Sequence, residues 1–370
     1  MIHIRFILLA LLAIPALAFS QTCGNSVCEQ NEDCIRDCYL NKISLITQNG
    51  GRVDWLGDST GLIAFDKMNE DGYYDIYTMK PDGSEIKNIT SGKSGLPQKN
   101  NGQPAWHPSG KWIVFQSEKQ EHQGGSKSSQ PGIGVFNDLW VADADGTKFY
   151  QLTNLPNDAN SGTLHPHFSA DGKKLSWCQM YAKADLKRKG NLFGKFKLII
   201  ADFSVEGSVP KLSNIKEFIP GDSVFYENHG FSPDGKFLIF TSNFHETNSP
   251  LTGNNIYKME IASGKITQLT TEAYNEHAAF NPSGTKIMWG SSKDNGNHGM
   301  DYWIMNPDGS GKQRLTYFNQ PGFSEYKKKG YAIDMSWSAD GKYIVCYVQD
   351  DLGKQTGGIY MISLKRVIRS

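Results

Sequence analysis

The stretch that decides the fold is Phe231-Ser232-Pro233-Asp234-Gly235-Lys236-Phe237-Leu238-Ile239-Phe240-Thr241-Ser242. An aromatic residue leads into a polar turn, and an apolar run leaves it. Asp-Gly between two apolar runs marks a hairpin, because glycine supplies the positive φ the turn needs. Copies recur at His107-Pro108-Ser109-Gly110-Lys111, Ser169-Ala170-Asp171-Gly172-Lys173, Asn281-Pro282-Ser283-Gly284-Thr285 and Ser338-Ala339-Asp340-Gly341-Lys342. A worn copy is Gly57-Asp58-Ser59-Thr60-Gly61. The aromatic anchors ahead of them are Trp55, Trp106, Phe168, Phe231, Phe280 and Trp337, spaced 49 to 63 residues apart. Six copies at such a period mean a repeat architecture.

Most copies continue with a third apolar stretch after a variable loop, such as Asp75-Ile76-Tyr77-Thr78-Met79, Asp138-Leu139-Trp140-Val141-Ala142 or Asp301-Tyr302-Trp303-Ile304-Met305. Another tight turn follows. A short fourth stretch then ends in Ile89-Thr90, Leu152-Thr153, Leu269-Thr270 or Leu315-Thr316. β-Branched and aromatic residues dominate, with few helix signals. The sequence therefore predicts an all-β chain, a six-bladed β-propeller of four-stranded antiparallel blades spanning residues 40–370. The sixth repeat stops soon after its third strand. Ile43-Ser44-Leu45-Ile46-Thr47, just ahead of the first anchor, has the missing ending. Pairing it with 358–364 closes the ring and leaves no open edge. Residues 183–196 are the expected departure from the pattern.

Residues 1–20 are read as a signal peptide. Arg5 precedes an apolar run, and small residues Ala16, Ala18 and Ser20 follow. An uncleaved anchor is the alternative, but the run falls short of the roughly 20 residues a spanning helix needs. Ser-Gln-Thr before Cys23 fits a lipoprotein site poorly. The mature chain is expected to be exported, periplasmic or secreted, with no transmembrane segment after cleavage. Cys23, Cys28, Cys34 and Cys38 crowd into residues 21–39, a disulfide-rich segment in which three connectivities are open. Zinc and calcium are the rival readings there. Cys178 and Cys346 fall on second strands of opposite blades and are expected to be separate buried thiols. The chain has 38 basic and 38 acidic side chains. No overall field steers it toward nucleic acid or a membrane surface. It is expected to be a monomer.

The pattern aromatic-Ser-Pro-Asp-Gly-Lys, then Ile-Tyr-x-Met with Asp-Gly, then Leu-Thr resembles the TolB-type propeller repeat. That repeat also occurs in oligogalacturonate lyases and in propellers of some serine peptidases. The resemblance covers nearly all of residues 40–364 and implies the fold. It does not fix a function, because one propeller hosts many activities. TolB carries a further α/β domain ahead of its propeller. The peptidases carry a hydrolase domain; the Gly-x-Ser-x-Gly match here, Gly57-Asp58-Ser59-Thr60-Gly61, is the worn copy of the repeat turn and not a strand-to-helix nucleophile turn.

Propeller topology sorts the loops. The turns joining first to second and third to fourth strands share one face and are short here. The second-to-third loops and the crossovers share the other face and are long: 117–137, 181–196, 242–254, 290–300 and 349–357. Long loops are where function concentrates, so the site is expected at the channel mouth on that face. Four of the nine histidines lie within four residues ahead of three consecutive anchors: His165, His167, His229 and His277. Gln103, Glu227, Glu276 and Asp334 occupy similar places and are candidate ligand-binding residues. Imidazoles beside carboxylates on rigid neighbouring strands suit a divalent metal, manganese or zinc, with the four histidines as its ligands.

Two functions follow. The first is a non-catalytic propeller that binds a protein, peptide or glycan on the long-loop face. The alternative is a metal-dependent lyase of acidic polysaccharide, or a related glycan-degrading enzyme, acting by β-elimination or hydrolysis. The lyase resemblance adds a His-x-His pair at a strand start, matched by His165-Pro166-His167. The lyases have seven blades, and the glutamine three residues before their pair is Gly162 here. Glu276, Lys183 or Lys187 would supply the base. Phe136, Tyr181, Phe193, Phe244, Phe323 and Tyr326 are loop aromatics able to stack on sugar rings.

Overall fold

The structure is a computed structural model. It describes residues 39–124, 126–184, 194–220, 225–243, 253–296, 298–351 and 356–365. Residues 1–20, read as a signal peptide, and the four clustered cysteines lie outside these residues. Among the described residues no helix is long and apolar enough to cross a membrane.

Six four-stranded antiparallel sheets are present. Their innermost strands are Val53–Trp55, Asn101–Trp106, Gly162–Phe168, Tyr226–Phe231, Asn275–Phe280 and Tyr331–Trp337. Each ends on one of the six aromatic anchors. These strands follow one another around the axis, and the first meets the last. The ring closes as the sequence predicts: Leu40–Gln48 lies antiparallel against Thr356–Leu364, from Leu40 opposite Leu364 to Gln48 opposite Gly358. The pairing is longer than the 43–47 stretch that signalled it.

The repeated turn shows why its residues recur. In the fourth blade the Gly235 N–H donates to the Ser232 carbonyl at 2.8 Å. Gly235 has φ 69°, the left-handed value that favours glycine. The Ser232 hydroxyl donates to Asp234 at 2.6 Å and accepts from the Phe237 N–H at 3.0 Å. The Asp234 carboxylate also accepts from the Lys236 N–H. Ser-Pro-Asp-Gly-Lys is thus a self-contained hydrogen-bonded unit.

The Leu-Thr ending has a different job from the one expected. The fourth strands of four blades are only two or three residues long: Lys87–Asn88, Phe149–Gln151, Ile266–Gln268 and Gln313–Arg314. The threonine lies just beyond. In the first blade its hydroxyl donates to Asp75 at 2.6 Å and accepts from the Ile76 N–H at 3.0 Å. Thr153 ties to Asp138 and Leu139, Thr270 to Asn255 and Ile256, and Thr316 to Asp301 and Tyr302 in the same way. A side-chain tether replaces ladder bonds that so short a strand cannot make. Among the described residues the third blade shows no such tether. Its outer strands, Lys195–Glu206 and Val209–Phe218, are long enough to pair directly.

Six apolar clusters fill the six junctions between neighbouring blades. Both faces of every sheet are covered, so the second and third strands read as continuous apolar runs instead of alternating. Cys178 and Cys346 are buried free thiols in two of these junctions, as expected.

Candidate functional site

The site is built from one position repeated around the ring, three residues before each anchor. Reading from the first blade it is Arg52, Gln103, His165, Asn228, His277 and Asp334. All six are polar. In the last five blades the ladder slips at or beside this position. Gln103, His165 and His277 take left-handed backbone there, with φ of 52°, 50° and 53°. A side chain with a Cβ holds that conformation at a cost of roughly 1–2 kcal/mol. Such strain persists where surrounding structure over-determines it, which is typical of functional sites. The bulge turns each side chain toward the axis.

Three imidazoles meet there. The ring centroids of His165, His229 and His277 lie 5.8, 5.9 and 5.6 Å apart in pairs, and all three are buried. The sequence predicts all four of His165, His167, His229 and His277 at this site. His167 instead lies one residue from its anchor, with its ring against Gly230. Strand alternation explains the difference: the bulge shifts the phase, so His229 turns inward and His167 is displaced toward the far end of the channel.

Three carboxylates join the trio. Glu227 reaches within 2.5 Å of His165 Nε2, and Glu276 within 3.4 Å of His277 Nε2. Asp334 stands 3.3 Å from His277 Nδ1 and 3.9 Å from His165 Nδ1. Arg52 holds Asp334 from behind at 3.8 Å. Asp66 accepts from the backbone N–H groups of both Arg52 and Gln103 and so sets that wall of the channel. Sequence reasoning missed Arg52 and Asn228. Their shared offset from Trp55 and Phe231 was the signal for them. Asn228 bridges blades by donating to the His165 carbonyl and the Ser176 hydroxyl.

Burial sets the protonation pattern, and neighbours then modify it. Burial alone would raise the Glu227 carboxyl, but His165 and His277 outweigh it and hold the group well below its ordinary value. The Glu276 carboxyl is pushed up to about 6 by burial and by the charge of Glu227 beside it. Burial opposes the His277 proton, yet Asp334, Glu227 and Glu276 together raise this group well above 6.5. The reverse holds for Asp334, where His277, His165 and Arg52 overcome burial and depress the carboxyl. His229 is held well below 6.5 by burial. His167 is lowered to about 4, by burial and then by His165.

The contacts of His165 conflict. The Gln103 amide oxygen accepts from the His165 backbone N–H at 3.1 Å, so its NH₂ group faces His165 Nε2 at 2.7 Å. The same nitrogen faces the Glu227 carboxylate. One imidazole nitrogen cannot accept from the amide and donate to the carboxylate at once. The second Glu227 oxygen is enclosed and takes no hydrogen bond. Donor atoms of Glu227, Glu276 and His277 all lie within 4.8 Å of one another. A shared cation holds such donors about 2.0–2.2 Å from itself, so opposed donors stand about 4.4 Å apart. Contraction by a few tenths of an ångström brings these three into range, and nitrogen with carboxylate oxygen suits manganese or zinc. The residues fit a divalent metal. Gln103 and Asp334 act on the histidines, with Gln103 against His165 and Asp334 against His277.

The channel opens beside this cluster in an unexpected direction. A cavity of about 340 Å³ reaches His167, His229, His277 and Asp334 from the face of the short turns. Its wall carries the anchors Phe168, Phe231, Phe280 and Trp337 and the turn residues Ala170, Pro233 and Pro282. The expectation of a mouth on the long-loop face is not met by this cavity, because the anchors end their strands at the opposite end of the channel. Among the loop aromatics, Phe136 stacks on His122 and Phe323 on Tyr317, while Tyr181 and Tyr326 are exposed. Phe193, Phe244 and Lys187 lie outside the described residues. Lys183 is exposed and borders a separate apolar cavity.

No protein-family model matches this chain, and neither does any curated protein. Solved structures do. TolB from Acinetobacter baumannii is 18% identical, with 85% of this chain and 67% of that one covered, at a TM-score of 0.53. An oligogalacturonate lyase in complex with manganese is 14% identical over 88% of this chain and 93% of its own, at 0.52. A gluconolactonase from Xanthomonas campestris is 12% identical over 88% and 91%, also at 0.52. The chain is a six-bladed β-propeller with distant structural similarity to the TolB and oligogalacturonate lyase propellers.

Proposed function

We propose that this chain is an exported propeller whose axial cluster holds one divalent cation and, with it, binds and cleaves an acidic sugar. The observation that carries the reading is the meeting of three imidazoles with Glu227 and Glu276, with His165 and His277 held on left-handed backbone. A purely structural core has no need of so many ionisable groups, since each costs desolvation unless paired. The lyase with bound manganese supports the reading by its fold.

Glu227, Glu276 and His277 would hold the ion, with His165 and His229 completing its surroundings. A divalent cation held by these residues would neutralise a uronate carboxylate and acidify the proton beside it. Without an ion, burial and Glu227 push the Glu276 carboxyl up to about 6; as a ligand it would be held ionised by the cation. Tyr274 donates to Glu276 at 2.8 Å and orients the carboxyl. Asp334 and Arg52 keep His277 oriented.

The test is titration of purified protein with Mn²⁺, followed by assay for unsaturated uronate released from an acidic glycan. The expected result is one equivalent bound, lost in Glu227→Ala, with product formed only by loaded wild type. A second reading, a non-catalytic propeller for a protein, peptide or glycan, is favoured by the pairing already present in the cluster, such as His229 with Thr241 at 2.7 Å. It stands if wild type takes up no metal.

A further inference from the structure

We infer that residues 127–136 form a latched strap over the long-loop end of the channel, and that its opening admits the divalent cation to the carboxylates of the cluster. The inference rests on the proposed function and adds a gate to it. The direction comes from the order of residues along two strands. Glu227 precedes His229, and Glu276 precedes His277, on strands that begin at the long-loop end. Both glutamates therefore stand on that side of the imidazoles. The short-turn cavity reaches His167, His229 and His277 but neither glutamate. A cation drawn by carboxylate charge meets the glutamates first from the long-loop end.

That end is covered across its first three blades by the long loop of the second. Pro131 lies so close to Gly102 that no Cβ fits there, and a Cβ at Gly132 would overlap the Arg52 guanidinium. Gly134 packs as tightly on Thr163 and Leu164. Val135 bridges to Gly162, and the Phe136 N–H donates to the Ser161 carbonyl at 2.8 Å. The tip of the strap thus rests on Arg52, which holds Asp334, and on the residue before His165.

Phe136 is the latch. Its φ of 63° is an outlier for a bulky side chain, and such strain persists only where other contacts fix it. Its ring stacks on His122, with centroids 3.9 Å apart and planes 12° from parallel. His122 is fixed in turn: its Nδ1 lies 2.6 Å from the buried Glu118 carboxylate, and its carbonyl accepts from Lys99. Behind the strap there is room to move. An apolar cavity of about 470 Å³ is walled by Ile133, Val135 and Phe136 on one side and by Leu164, Phe196 and Phe225 on the other. A segment packed on one side and backed by space on the other gives up few contacts when it swings, so it opens well below the cost of unfolding a blade.

The experiment uses the mature full chain. Hydrogen exchange on the metal-free protein reads strap opening, and stopped-flow mixing with Mn²⁺ reads entry. His122→Ala and Phe136→Ala each remove one ring of the latch. Each is expected to speed exchange across 127–136 by about three- to tenfold, the worth of one ring stack, with the distant strand Phe237–Ser242 unchanged. Each is also expected to speed Mn²⁺ association and dissociation by the same factor and to leave affinity at the wild-type value, because neither ring belongs to the cluster. Ala170→Trp, which narrows the short-turn cavity, is expected to keep both wild-type rates. Slower uptake in Ala170→Trp places entry at the other end and overturns this inference alone. So does uptake of one equivalent at one rate in wild type and both latch variants, or strap exchange as slow as that of Phe237–Ser242. No metal uptake by wild type overturns the proposed function, and this inference falls with it.

Discussion

Asp334→Asn removes one charge from the axis and leaves shape almost unchanged. Asp334 lies 3.3 Å from His277 Nδ1 and 3.8 Å from Arg52 Nε, with its side chain only 15% exposed. At an effective dielectric of roughly 20, charges 3.3 Å apart attract by about 5 kcal/mol. Desolvation offsets much of that, and breaking a buried pair by removing one partner costs about 3–5 kcal/mol. Asparagine keeps one oxygen toward His277, so the lower end applies, about 3 kcal/mol. At about 2 °C per kcal/mol for a large domain, the melting temperature falls by about 6 °C. The pH dependence gives the sharper test. The raised value of His277 gives stability that is whole below 6.5 and lost as pH rises through the folded value. The depressed value of Asp334 gives stability that is whole above 3.8 and lost as pH falls through the folded value. The pair is therefore complete between these two limits. Urea unfolding of metal-free wild type and variant at about pH 6 and about pH 9 is the assay. The gap between them is expected to be largest at pH 6 and to shrink at pH 9. An equal gap at both would refute the ion pair as its source.

Deleting residues 40–48 opens the last blade along Thr356–Leu364 and exposes part of its junction, so the whole ring should melt at lower temperature; an unchanged midpoint would remove closure from the account. Thr316→Val leaves the buried Tyr302 N–H and Asp301 short of a partner and should cost about 1–3 kcal/mol by chemical denaturation. A variant as stable as wild type would show the tether to be dispensable. Non-reduced mass spectrometry of exported protein should find Cys23, Cys28, Cys34 and Cys38 oxidised and Cys178 and Cys346 free. Reduced thiols at the first four would favour the metal reading of that segment.

Much of the site was legible because the repeat gave a ruler. Counting back from an anchor places a residue on the innermost strand without coordinates, and Gln103, His165, His277 and Asp334 were found that way. The ruler failed where the strand is not regular. A bulge changes which neighbour points inward, so of the four expected histidines His165, His229 and His277 meet and His167 falls outside the trio. Nothing in the local sequence announces that bulge, since histidine and glutamine seldom adopt left-handed backbone and do so here under the constraint of the whole ring.

The amino-acid sequence by itself determined the blade count, the turn structure and the closing strand. Each depends on contacts within a dozen residues or on a pattern repeated six times, and the hydrogen-bonding needs of Ser, Asp, Gly and Thr are local. Tertiary structure alone decided which charges meet at the axis and which end of the channel is open. Glu227 beside His165, and Asp334 between His277 and Arg52, bring together residues 57 to 282 positions apart. Their protonation follows from shared burial in a channel that exists only once all six blades have closed around it.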